Sequence, residues 1–156
     1  MFGLIIPVTA FAVLVFGMVL LAVADIRTKE VDPWSTAALA FAAVVALFSD
    51  GVTVSQWTSG LISAVLVFIL YLEMGMRGKM GGGDVKLSPL PALVLGTISP
   101  FLALWAVALA FSLQATLQFA VRPQSSFAAP VALPHVPAIC VATTVSAAAV
   151  LMILTA

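Results

Sequence analysis

The sequence predicts an all-α, polytopic membrane protein with six transmembrane helices, folded as a single domain over residues 1–156. Two observations carry this prediction. Hydrophobic residues make up 63% of the chain and charged residues only 8%, and the mean hydropathy is +1.26. Soluble domains carry about 25% charged residues, so this chain cannot cover a water-facing surface. The apolar residues also fall into runs separated by short polar segments, as expected for helices that cross a bilayer.

Net charge and cysteine content exclude several classes of protein. The formal net charge is zero, so no basic face for nucleic acid is expected. The single cysteine, Cys140, excludes an intrachain disulfide and a zinc site built from cysteines. No metal or other cofactor is expected.

The first half of the chain predicts three helices. The uncharged run 1–24 is long enough to cross a core of roughly 30 Å, and it is too long for a cleaved signal segment. A charged loop is expected at 25–33, where Pro33 can open the second helix, 34–49. The third helix is expected at 55–72.

The second half predicts three more helices. The uncharged stretch 87–121 is too long for one helix and is interrupted near Pro100, which gives a short fourth helix at 85–95 and a fifth at 100–121. Pro89 and Pro91 make an irregular fourth helix the expectation. A proline-rich loop then leads to a sixth helix at 137–156.

The basic residues predict the orientation of these helices. All of them fall in the loops that follow the first, third and fifth helices: Arg27, Lys29, Arg77, Lys79, Lys86 and Arg122. Loops rich in Lys and Arg face the cytoplasm, so both termini are expected to be extracytoplasmic.

The chemistry is expected at a glycine-rich stretch. Gly81, Gly82 and Gly83 precede Asp84, and Asp25 ends the first apolar run on the same predicted side. Two carboxylates brought close share one proton and can hold a water between them, which permits acid–base peptide hydrolysis. The glycines would let a substrate backbone approach Asp84.

Each acid also has a simpler interpretation. Taken alone, Asp84 is typical of a helix N-cap and Asp25 of a solvated loop acid. Asp32 and Asp50 are assigned to loops. Glu73 is either a third acid of the site or, as we favour, the partner of Arg77 one helical turn on.

Three segments resemble the type IV prepilin peptidase family, whose members are membrane aspartyl proteases. The run Gly81-Gly82-Gly83-Asp84 matches the Gly-x-Gly-Asp motif, and the flanks from 77 to 87 resemble that family's corresponding stretch. Residues 25–29 resemble its first catalytic segment, and residues 134–138 resemble the start of its last helix. Two departures are Val31-Asp32-Pro33, where the family usually has Ile-Pro-Asn, and His135, where the family tends to have an aromatic residue. A structural role is expected for His135.

The resemblance implies an aspartyl endopeptidase that removes basic leader peptides from prepilins or pseudopilins at the cytoplasmic face of the bacterial inner membrane. Asp25 and Asp84 would be the catalytic pair, with Gly81, Gly82, Gly83 and Lys86 forming the motif along the substrate path. The length resembles the small branch that serves tight-adherence (Flp) pili. The larger enzymes carry a cysteine-rich segment and also methylate the new N-terminus.

Two other functions are compatible with the same residues. Asp25 and Asp84 would serve a small proton- or cation-coupled transporter if they lay near the membrane midplane. A non-catalytic membrane scaffold would use the glycines for packing alone. The predicted position of both acids at helix ends favours the peptidase.

Overall fold

A computed structural model describes residues 5–28, 32–78, 80–120 and 135–155. Within these ranges every regular element is an α-helix and no strand is present. Lys29, Val31, Lys79, Arg122 and most of the predicted proline-rich loop lie outside the described residues. The helices of the described ranges are α1 (Val8–Thr28), α2 (Pro33–Ser49), α3 (Val54–Met76), α4 (Gly82–Leu87), α5 (Pro89–Gly96), α6 (Pro100–Ala120) and α7 (Val136–Thr155).

Four of these helices, α1, α3, α6 and α7, are long and apolar enough to cross a membrane. The helix α2 is also apolar but has only 17 residues, and α4 and α5 are shorter still. The predicted all-α membrane protein is therefore confirmed as a class. The count of six spans and the side on which the termini lie stay predictions.

The first helix continues past the residue at which the sequence predicted its end. Helix α1 runs through Asp25 to Thr28, whereas a charged loop was expected from Asp25 onward. None of the residues in this last turn breaks a helix, and Arg27 is favoured there by the helix dipole. Asp25 is therefore a helical residue, and the loop interpretation is wrong.

The predicted fourth helix is divided into two. Helix α4 begins at Gly82, three residues before the expected start, and α5 begins at Pro89. Ser88 joins them: its N–H donates to the Asp84 carbonyl, and its hydroxyl donates to the Val85 carbonyl. Pro89 has no N–H to continue the ladder, which explains the irregularity that its position predicted.

Asp32 and Asp50 lie outside the helices, as predicted, and their carboxylates also cap helix ends. The carboxylate of Asp50 accepts from the N–H groups of Thr9 and Ala10 at 3.3 and 2.9 Å, which caps the start of α1. Asp32 is the N-cap of α2 and accepts from the Ser35 N–H at 2.9 Å. The start of α1 and the end of α2 therefore lie together, at the end of the bundle opposite Asp25.

Helix α5 is held tightly against α3 by small residues. A Cβ at Gly60 would lie 2.7 Å from the Leu93 carbonyl oxygen, and a Cβ at Gly96 would lie 2.6 Å from the Ser63 Cβ. The Ser59 hydroxyl donates to the Gly96 carbonyl at 2.6 Å. Close backbone approach of this kind drives association of helices in lipid. It fixes α5, and with α5 the adjoining α4 that carries Asp84.

Candidate active site

Asp25 is buried in the last turn of α1. Its exposed fraction is 6%, and Leu21, one turn earlier on the same face, is equally buried. The carboxylate accepts from the backbone N–H of Val136, the first residue of α7, while Oδ2 has no hydrogen-bond partner among the described residues. A buried carboxylate oxygen without a protein partner is rare in folded proteins and calls for an explanation.

Asp84 is half-buried in the first turn of α4. The N-cap of this helix is Gly81, so the interpretation of Asp84 as an N-cap is wrong. The Asp84 side chain instead reaches back to the N–H of Gly81, as the third helical residue of a capping box does. A Cβ at Gly81 would lie 3.4 Å from Asp84 Oδ2, in ordinary van der Waals contact, so Gly81 lies directly beside the carboxylate.

The fold brings these two acids together from separate helices. Burial first, and then the negative charge of Asp25, raise the pKa of Asp84 to about 6, against an ordinary value of 3.8. The N–H of Gly81 opposes this shift only in part. Two carboxylates close enough for the charge of one to raise the pKa of the other hold a proton between them more readily than either would alone.

Tyr71 and His135 lie beside the acids, and the sequence did not assign Tyr71 to the site. The Tyr71 hydroxyl is 3.3 Å from His135 Nε2, and both side chains are buried. The negative charge of Asp84 also acts on Tyr71. Burial lowers the pKa of His135 to about 4, so its ring is neutral near neutral pH. The one available signal was that Tyr71 is the only tyrosine of the chain and falls within an apolar helix.

The other residues that the sequence singled out lie on α3 and α4, the helices next to the acids. Glu73 forms an ion pair with Arg77 and both side chains are exposed, which confirms the interpretation that we favoured. Lys86 is exposed on α4. Gly82 is exposed as well, and a Cβ there would meet no atom within 4 Å. Gly83 is half-buried. In the described part of the chain, no three His, Cys, Asp or Glu side chains cluster as a metal site.

A helical membrane protein that joins two carboxylates at one end of its bundle has the parts of a membrane aspartic peptidase. The chain belongs to the type IV leader peptidase family, whose sequence pattern matches residues 12–121. Searches of curated proteins and of solved structures gave no match. Family membership implies a protease of the aspartic type that acts on prepilin-type substrates, and it does not favour the transporter.

Proposed function

We propose that the protein is an aspartyl endopeptidase that removes basic leader peptides from prepilins or pseudopilins, with Asp25 and Asp84 as its catalytic pair. Its motif is of the Gly-x-Gly-Asp type, and we assign the protein to the small branch that serves tight-adherence (Flp) pili. The enzyme would work in the bacterial inner membrane, as one domain over residues 1–156, with its site at the cytoplasmic surface.

The observation that carries this proposal is the effect of the Asp25 charge on Asp84, which means that the two carboxylates lie within electrostatic reach of each other. A pKa of about 6 at Asp84, raised by burial and by the charge of Asp25, leaves the pair with a shared proton over the pH range just below neutral. One carboxylate then takes a proton from a bound water while the other donates a proton to the scissile carbonyl oxygen. The water oxygen bonds to the carbonyl carbon, the C–N bond breaks, and the leaving amine takes up a proton.

The glycines give the substrate access to this pair. A scissile bond has to come within about 3 Å of the reacting groups, which requires an extended backbone to pass close to Asp84. The open space at Gly82 and the absence of a side chain at Gly81 support such a path. Lys86, exposed on the same short helix, lies along the edge of the motif.

Charge placement supports the cytoplasmic orientation. Arg27 at the end of α1, Arg77 after α3 and Lys86 on α4 are exposed at the end of the bundle that holds Asp25. The acid Asp50 is at the opposite end, where α1 begins. The positive-inside rule then puts the acid pair on the cytoplasmic side and the chain termini outside.

The experiment is cleavage of a prepilin-type peptide, a basic leader followed by an apolar helix, by the purified protein in detergent. N-terminal sequencing of the product gives the cleaved bond. We expect the wild type to release one leader and Asp25→Asn and Asp84→Asn to release none. Release of the leader at the wild-type rate by either variant would exclude the aspartyl mechanism.

A further inference from the structure

A second buried polar pair lies beside the acids and is not used in the chemistry above. It consists of Tyr71 in α3 and His135, the residue before α7, with exposed fractions of 1% and 5%. The Tyr71 hydroxyl lies 3.3 Å from His135 Nε2, and within the described ranges His135 Nδ1 has no hydrogen-bond partner. Burying a polar nitrogen without a partner costs stability, so this arrangement calls for an explanation beyond packing.

His135 is connected to Asp25 through the backbone. The N–H that Asp25 accepts from is that of Val136, and this N–H belongs to the peptide bond between His135 and Val136. The His135 ring is fixed by the Tyr71 hydroxyl and by ring contacts with Tyr71 and Phe111, whose centroids lie 5.9 and 5.6 Å away. The ring therefore anchors the residue whose carbonyl accepts the first hydrogen bonds of α7 and whose peptide bond carries the Val136 N–H.

Tyr71 connects the same pair to the other acid. The charge of Asp84 acts on Tyr71, which places the hydroxyl within electrostatic reach of that carboxylate. A phenol can donate one hydrogen bond and accept another. The Tyr71 hydroxyl can therefore bond to His135 and, at the same time, form a second hydrogen bond on the side of the site that holds Asp84. One buried pair, from α3 and the start of α7, is thus linked to both carboxylates.

We propose that Tyr71 and His135 are positioning residues that hold the two acids in their working arrangement. They keep the Val136 N–H donating to Asp25, and they keep the part of α3 that carries Tyr71 beside Asp84. This inference rests on the proposed function. Around His135, the buried or half-buried titratable groups from α1, α3 and α4 are Asp25, Tyr71 and Asp84. Those helices also carry exposed Arg27, Glu73 and Lys86, whereas α2, α5 and α6 contain no titratable residue and α7 contains only Cys140.

The test uses substitutions that keep the ring and remove the hydrogen bond. We expect Tyr71→Phe and His135→Phe each to lower kcat roughly 10-fold, which corresponds to the loss of one hydrogen bond, and to leave KM within about twofold. The acid limb of the pH profile should move to higher pH, because the ionised pair loses part of its N–H stabilisation. The double variant should fall little below either single one, since both remove the same bond.

Conservative and control variants complete the test. His135→Gln can restore a hydrogen bond to Tyr71 and should recover most of the lost rate. Phe101→Leu, at a site in α6 that is 82% exposed, should leave the rate and pH profile unchanged. An unaltered pH profile in both phenylalanine variants would overturn the proposal, even if their thermal stability fell, because the role would then be structural only.

A second readout does not depend on cleavage. Infrared titration of the protonated carboxyl band follows the acid pair without a substrate, and we expect Tyr71→Phe to displace it relative to the wild type. An identical titration in both proteins would overturn the positioning role. A wild type that fails to cleave would count against the proposed function, while this titration would still decide the arrangement of the acids.

Discussion

At the scale of single residues, the two acids are close to each other but are held differently. Asp25 is almost fully buried within a long helix and accepts from the start of α7. Asp84 is half-buried at the start of a helix of six residues and accepts from Gly81. Because their environments differ, the two carboxylates are not equivalent, and an asymmetric pair can divide acid and base roles between its members.

Asp84 should make stability depend on pH. Its pKa is about 6 in the fold against 3.8 ordinarily, so between these values the folded protein holds a proton that the unfolded chain has released. This contribution is fully present below about pH 4 and is lost as the pH rises through about 6. We therefore expect the Tm of the wild type minus that of Asp84→Asn to fall over this interval.

The Tm has to be compared with that of the variant because the titration of His135 changes stability with pH in the direction opposite to that of Asp84. Its pKa is lowered to about 4, so its contribution is present above the ordinary value of 6.5 and is lost as the pH falls through about 4. Both proteins keep His135, which cancels this contribution. A Tm difference that does not change with pH would contradict the raised pKa of Asp84.

The glycine stretch gives a prediction that separates folding from access. A Cβ at Gly82 meets nothing within 4 Å, so Gly82→Val should fold and keep the wild-type Tm within a few degrees. Its side chain would occupy the space through which the substrate passes, so we expect cleavage to fall at least about 100-fold, as misplacement of a reacting group does. The measurements are cleavage and thermal unfolding of the same preparation.

Gly78, which precedes the glycine stretch, is not a suitable position for a control substitution. Its φ is +69°, a conformation that side chains rarely adopt, so even alanine would strain the turn. Phe101→Leu, at a position in α6 that is 82% exposed and outside the motif, is the better control and should keep both Tm and most of the activity. Full cleavage by Gly82→Val would show that the glycines do not shape a substrate path.

At the scale of elements, apolar runs and prolines predicted where most helices lie but not where the site helices begin and end. The apolar runs predicted the positions of α1, α3, α6 and α7, and Pro89 and Pro91 predicted the irregularity at the start of α5. Charge marks where a chain is polar, not where its helix stops, so the run ending at Asp25 predicted a loop where the helix continues. Helix α4 starts among glycines, which disfavour helices, because packing against α2, α3 and α5 outweighs propensity.

The pairing of the acids was predicted from their shared side of the membrane and from the family resemblance rather than from any contact, and the Tyr71–His135 pair was not predicted. Both depend on contacts between residues far apart in sequence, which no local pattern encodes. His135 lies after a segment outside the described residues, and Tyr71 looks like any aromatic residue of an apolar helix. The tertiary packing of α3 and α6 around the start of α7 is what joins them.

The α3–α5 contact should be essential for placing Asp84. A side chain at Gly60 would clash with the Leu93 carbonyl, which is backbone and cannot move aside. Overpacking of a closely packed contact costs about 1–3 kcal/mol, so we expect Gly60→Val to lower Tm and cleavage together. Thermal unfolding and cleavage would be measured beside Leu61→Ala, whose side chain is 53% exposed and should be neutral. A Gly60→Val protein of normal stability would contradict this packing.

At the scale of the whole molecule, the site is built at one end of the bundle. The end of α1, the start of α2, the end of α3, helix α4 and the start of α7 meet there. The opposite end joins the start of α1 to the end of α2 through Asp50, and to the start of α3 through Gln56, which donates to the Ile5 carbonyl at 2.7 Å. If the two acids catalyse cleavage, as we propose, the substrate would reach them from one membrane surface only.

Accessibility labelling tests this orientation. In a Cys140→Ala background, cysteines at Thr28 and Arg77 should react only with reagent added to the cytoplasmic side. A cysteine at Val54, which is 82% exposed at the start of α3, should react only from the other side. Labelling of Thr28 and Arg77 from opposite sides would contradict the common surface on which the proposed site depends.

The central claim is that Asp25 and Asp84 act as one unit, and the most direct measurement is the cleavage rate of the two single variants and of the double variant. Groups that share one proton and one water are non-additive when removed. We predict that Asp25→Asn, Asp84→Asn and the double variant lose activity to the same residual level, with each protein folded in detergent. Substantial activity in either single variant, or a double variant markedly slower than both, would contradict the account.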